Sequence, residues 1–121
     1  MEFEITRGDT APFKFQRKNK SGMIITEQPT NIWFTLKKTA ESRKVLVQKR
    51  LSNGTIAYDA ETQYYKFTLL PEDTDSLDLG QSYQFDIEVK TGSIIKTIAK
   101  GKIVITEEVT HASDEVMDDG A

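Results

Sequence analysis

The sequence predicts an all-β domain, and three observations carry that prediction. Apolar residues recur at every second position through most of the chain, turn-forming residues break these runs roughly every 8 to 15 residues, and no long stretch repeats apolar residues at helical spacing. A strand exposes successive side chains on opposite faces, so a two-residue period means one buried and one wet face.

Taken in order, Glu2 to Thr6 reads as a short first strand. Arg7-Gly8-Asp9 follows as a turn in which Gly8 takes a backbone conformation other residues resist and Asp9 accepts backbone N–H groups. The same tripeptide is displayed by integrin ligands, but nothing else in the chain suggests an extracellular animal protein, so the turn is the preferred reading. Phe13 and Phe15 alternate with Lys14 and Gln16 to give a second strand, ended by Ser21-Gly22. Ile32, Phe34 and Leu36 alternate with Trp33, Thr35 and Lys37 in a third. Val45 to Leu51 mixes Val47 and Leu51 with Lys49 and Arg50, as suits a charged edge strand guarded against pairing with other molecules. Asn53-Gly54 then offers the two positive φ values of a tight hairpin leading into Ile56 to Asp59.

Tyr65, Phe67 and Leu69 alternate with Lys66 and Thr68. Pro71 opens a single helical turn through Leu77, because its fixed φ suits the first helical position and the acids behind it suit the helix dipole; Leu77 and Leu79 should tuck beneath it. Tyr83, Phe85, Ile87 and Val89 alternate with Gln84, Asp86, Glu88 and Lys90. After the Thr91-Gly92 turn, Thr97, Ala99, Ile103 and Ile105 share a phase opposite to Lys96, Lys100 and Lys102, with Gly101 as the expected site of a bulge. About seven antiparallel strands and one short helical turn describe a β-sandwich or a small barrel.

Length and composition narrow the function. A chain of 121 residues suits one domain, here 1–109 followed by an acidic tail, 110–121, expected to be disordered. Hydrophobic residues make up 37% of the chain, enough for a thin core. No aliphatic run approaches the roughly twenty residues of a bilayer span, and the start carries no secretory signal, so the chain is expected to be made and used without export and without a membrane. There are no cysteines, and the one histidine, His111, lies in the tail, so thiolate zinc sites, cysteine nucleophiles and Ser-His-Asp catalysis have no residues to assemble from. No catalytic, cofactor or metal residue is expected. The acids Glu72, Asp73, Asp75 and Asp78 lack the spacing of a calcium loop and read as helix-end decoration.

The net charge of −3 is unevenly spread. All 16 bases and 13 of the 19 acids lie in residues 1–106, giving +3 there, while residues 107–121 carry six acids and no base. A body at +3 is too weakly basic to favour nucleic acid. The tail could fold on a basic partner with Val116 and Met117 as anchors, or stay a solvated terminus. The candidate contact residues are Trp33, Val47, Lys49 and Arg50. Trp33 falls on the outward phase of its strand, which suits a contact surface or sugar platform; it equally suits a second layer under the connection from Thr39 to Lys44.

The opening Ile5 to Phe15 with its Gly8-Asp9-Thr10, the Ile32-Trp33-Phe34-Thr35-Leu36 strand, Leu70-Pro71-Glu72-Asp73-Thr74, the run Leu79-Gly80-Gln81-Ser82-Tyr83 continuing to Val89, and the closing Gly101 to Ile105 resemble the immunoglobulin-like domains of tailed-phage structural proteins. The likeness is nearest to the N-terminal domain of baseplate upper proteins and spans roughly residues 3 to 109. It implies an immunoglobulin-like β-sandwich, a non-enzymatic virion or assembly protein of the tail or baseplate made in the bacterial cytoplasm, and other phage structural proteins or further copies of itself as partners. This chain departs from those proteins by continuing into a short acidic tail instead of coiled-coil and receptor-binding regions. The second expectation, from a different class, is a carbohydrate-binding or host-surface adhesion module that stacks sugars on Trp33, Tyr58 or Tyr64.

Overall fold

The computed structural model describes residues 1–107; the tail expected at 110–121 lies outside the described residues. The all-β prediction holds. Eight strands form two sheets: β1 (Glu2–Thr6), β2 (Ala11–Phe15), β3 (Asn31–Lys37), β4 (Val47–Arg50), β5 (Ile56–Asp59), β6 (Tyr64–Leu69), β7 (Ser82–Thr91) and β8 (Ile94–Thr106). One sheet runs β1-β8-β7-β3-β4 and the other β2-β6-β5. Among the described residues the one helix is α1 (Pro71–Thr74), and no helix is long and apolar enough to cross a membrane.

Two features differ from a set of about seven antiparallel strands. Ile56 to Asp59 is a full strand, pairing with β6 from Ile56↔Phe67 to Asp59↔Tyr64. β1 runs parallel to β8, from Glu2↔Lys102 to Thr6↔Thr106. Alternation of side chains is the same in parallel and antiparallel strands, so the sequence period reports a buried face and carries no direction.

The core lies between the sheets. Ile32, Phe34 and Leu36 of β3, Tyr83, Phe85, Ile87 and Val89 of β7, and Ile103 and Ile105 of β8 face Tyr65, Phe67 and Leu69 of β6. The Phe34 ring lies 4.6 Å from that of Phe67 and 5.6 Å from that of Phe85, so one side chain on β3 joins both sheets. Leu77 is buried as expected, but Leu79 is exposed, because the chain has left α1 and turns there toward Gly80.

The turns are chemically specific. Gly8 has φ +92, and its N–H donates to the buried Thr74 hydroxyl (3.4 Å), so the Arg7-Gly8-Asp9 turn seats on α1; Asp9 closes it by donating its backbone N–H to Thr6 O, with its carboxylate playing no part. Asn53-Gly54 does not make a two-residue hairpin. Only Gly54 takes positive φ, its N–H donates to Leu51 O, and the segment carries the chain from the five-stranded sheet across to β5 in the other. Gly92 (φ +63) is the first of two loop residues between the paired Thr91 and Ile94, the position where a tight hairpin asks for glycine.

The irregularity in β8 lies at Ile98, three residues before the expected Gly101. Ala99 pairs with Ile87 and Thr97 with Glu88, leaving Ile98 as the extra residue. Gly101 answers a different need: a Cβ there would sit 2.6 Å from the Met1 carbonyl oxygen and 2.7 Å from the Phe85 ring. Gly101→Ala should therefore lower stability by about 1–3 kcal/mol in urea unfolding, since backbone on one side and a buried ring on the other leave no room to yield. Phe34→Ala should cost about 3–5 kcal/mol, whereas Trp33→Ala, one residue away and on the opposite face, should cost about 1 kcal/mol or less in the same measurement.

Candidate functional site

The four sequence-selected residues separate into two pairs. Residues opposite one another on neighbouring strands share a face. Val47 pairs with Leu36 and is buried in the core; Lys49 pairs with Phe34 and also points inward. Lys49 is no free surface charge: its Nζ donates to Asp73 Oδ2 at 2.8 Å, in an ion pair whose side chains are only 10% and 18% exposed. Asp73 Oδ2 also accepts the Leu70 N–H (2.7 Å), so one carboxylate ties α1 both to its own N-terminus and to β4. An inward-pointing charge is one way to keep an edge strand from pairing with other chains.

Trp33 and Arg50 do come together. They are register partners on the outer face of the five-stranded sheet, where Trp33 is half-buried between Arg50 and Glu88. Arg50 Nε donates to Gln48 Oε1 (2.8 Å) and Gln48 Nε2 donates to Thr35 Oγ1 (3.2 Å), which gives the tryptophan a polar border. The other rings weighed as sugar platforms are elsewhere. Tyr58 packs on Tyr65 at 4.7 Å, and Tyr64, on the smaller sheet, carries the Lys14 ammonium 4.7 Å above its ring. Three aromatic side chains on two different sheets offer no shared platform.

A second surface, which the sequence reading missed, is built by the bulge. Ile98 shifts the phase of β8, so that Lys96 pairs with Val89 and Ile94 with Thr91 on the inner side, while Ile95 and Thr97 pair with Lys90 and Glu88 on the outer side. β1 reaches only to Lys102, so among the described residues the outer edge of β8 from Ile94 to Lys100 has no neighbouring strand. Ile94, Ile95 and Ile98 are 64%, 55% and 43% exposed there. Beneath this hairpin end lies a cleft of about 800 Å³, walled opposite by residues 16–20 and by Ile25 and Glu27. Ile87, Val89, Ile94 and Ile98 give it an apolar side, and Arg17, Lys18, Lys20 and Lys96 give it a basic one. The signal that could have found it was the Ile94-Ile95 pair followed by Ile98, which no strict alternation can bury together.

Among the described residues, no three His, Asp or Glu side chains are grouped to hold a metal ion. Asp59 is the one described carboxyl held well away from its ordinary range. Lys66 Nζ lies 2.9 Å from its Oδ2, and Oδ1 accepts the backbone N–H groups of Glu61 and Thr62, which together lower its pKa from 3.8 to about 2. These bonds close the β5–β6 turn, a structural task. No family model matches this chain, and no curated protein matches it.

The Asp59 shift has a definite sign. A carboxyl whose pKa is depressed by folding supports the fold above its unfolded value and loses that support as pH falls through the folded one. Asp59→Asn should therefore flatten the fall of stability between about pH 4 and pH 2 in acid titrations followed by circular dichroism, and leave the profile near neutral pH the same shape.

Proposed function

We propose that this protein is a non-enzymatic structural component of a tailed-phage particle, an immunoglobulin-like module that joins other virion proteins in the tail or baseplate. The observation that carries the docking part of this reading is the end of the β7–β8 hairpin, where three exposed isoleucines adjoin a length of strand edge with no neighbour among the described residues. Apolar surface beside open backbone donors and acceptors is what a partner's strand or loop covers on assembly.

The immunoglobulin-like reading is supported by strand order. β2-β6-β5 matches strands B, E and D of such a sandwich, and β8-β7-β3-β4 matches G, F, C and C′. The Tyr83 hydroxyl accepts the Asp78 N–H at 2.7 Å, which is the corner in which a tyrosine near the start of strand F bonds back to the backbone just upstream. That tyrosine belongs to the Leu79 to Val89 run on which the phage resemblance rests, and Gly8 of the opening run holds the β1–β2 turn.

Mass spectrometry and labelling with a specific antibody should find the protein in purified phage particles induced from its bacterial host. Particles that lack it while the host's soluble fraction contains it would overturn the assignment. Within such particles, Ile98→Asp should reduce incorporation at least about tenfold while the isolated variant stays folded, because a charge buried at an interface is left unpaired.

A further inference from the structure

We infer that the cleft under the β7–β8 hairpin receives the acidic C-terminal segment of a second copy of this chain, so that copies join head to tail. The first argument is charge. Arg17, Lys18, Lys20 and Lys96 line the cleft against one carboxylate, Glu27, and among the described residues none of the four bases makes an ion pair. Arg17 is already aimed, with Nη1 donating to the Glu27 carbonyl oxygen at 2.8 Å.

The second argument is pattern. Residues 107–121 contain six acids and no base, and within them the apolar pair Val116-Met117 is flanked by Asp114-Glu115 on one side and Asp118-Asp119 on the other. Two apolar side chains between four carboxylates suit a cleft with one apolar and one basic side. The uncovered β8 edge alongside supplies the backbone groups with which an extended segment pairs.

Reach decides which copy supplies the segment. β8 begins at the cleft and ends at Thr106 at the far end of the sandwich, so Ile98 and Glu107 are about 30 Å apart at roughly 3.3 Å per residue. The nine residue-to-residue steps from Glu107 to Val116 also span only about 30 Å when fully stretched. A chain filling its own cleft would have to run taut along its own body, whereas the segment of a neighbour placed end to end enters without strain. Because the cleft and Glu107, from which the segment continues, lie at opposite ends, a contact between copies is heterologous and propagates into a ring or a filament.

This inference rests on reading the hairpin end as a docking surface, and its test separates the two. Sedimentation equilibrium of the full chain should show species above the 13.7 kDa monomer at about 0.05 M salt, with affinity falling at least about tenfold at about 0.5 M. A cleft variant, Lys18→Glu with Lys20→Glu, and a segment variant, Val116→Ser with Met117→Ser, should each be monomeric and keep the wild-type circular dichroism and melting temperature. Mixed in equal amounts they should stop at a dimer, since one intact cleft meets one intact segment. A monomeric wild type, or a mixture that stays monomeric, would overturn the inference. Loss of self-association in Ile98→Asp with full retention in the segment variant would keep the docking surface and remove the acidic segment as its occupant; an Ile98→Asp chain that associates normally would remove both.

Discussion

The contact on which the rest of the structure depends is the network of phenylalanine rings between the two sheets. All six phenylalanines of the chain belong to it: Phe3 meets Phe13 and Phe85, Phe34 meets Phe67 and Phe85, and Phe67 meets Phe13 and Phe15. They come from β1, β2, β3, β6 and β7, so ring contacts tie strands of both sheets together. Aromatic side chains bury large areas and lock into edge-on or offset geometries, which lets a thin sandwich without a disulfide keep one arrangement of its layers. Gly101 belongs to the same constraint, since the Phe85 ring occupies the space a larger residue would need.

Where the rings end, the layers part. The five-stranded sheet continues past them in the β7–β8 hairpin, while opposite it β2 stops at Phe15 and the chain wanders through 16–27 before returning at β3. In that segment Asn19 bonds to the backbone of Ser21 and Met23, and Ile25 to Arg17, which gives it local order without a third aromatic layer. The cleft is the consequence: apolar side chains of a strand pair face a polar, basic loop instead of a second sheet. The bulge at Ile98 sharpens this by turning Lys96 to the inner side, so that the hairpin itself contributes charge to the cleft.

The two ends of the five-stranded sheet are treated differently. At β4 an inward lysine is neutralised by Asp73, and the strand is only four residues long, both of which discourage further pairing. At β8 the strand is thirteen residues long and β1 covers only its last part. A bulge and two lysines are the only guards on the uncovered part, and three exposed isoleucines work against them. One edge is blunted by the fold, and among the described residues the other is uncovered from Ile94 to Lys100.

The amino-acid sequence by itself determined that the protein is built of strands, where most of them lie, and which residues fill the core, because burial on one face of a strand leaves a two-residue period that needs no partner to be read. Phe34 against Trp33 and Tyr83 against Gln84 were legible in this way, as was the helical turn at Pro71. Sequence period puts Val47 and Lys49 on one face but could not say that a lysine is buried there, since its partner, Asp73, is 24 residues away and is brought beside it only by tertiary structure. The parallel pairing of β1, the passage of Asn53-Gly54 between sheets, and the bulge at Ile98 were likewise decided by tertiary structure. Each is a choice of neighbour, and alternation along a strand records which side is dry without recording what lies beside it.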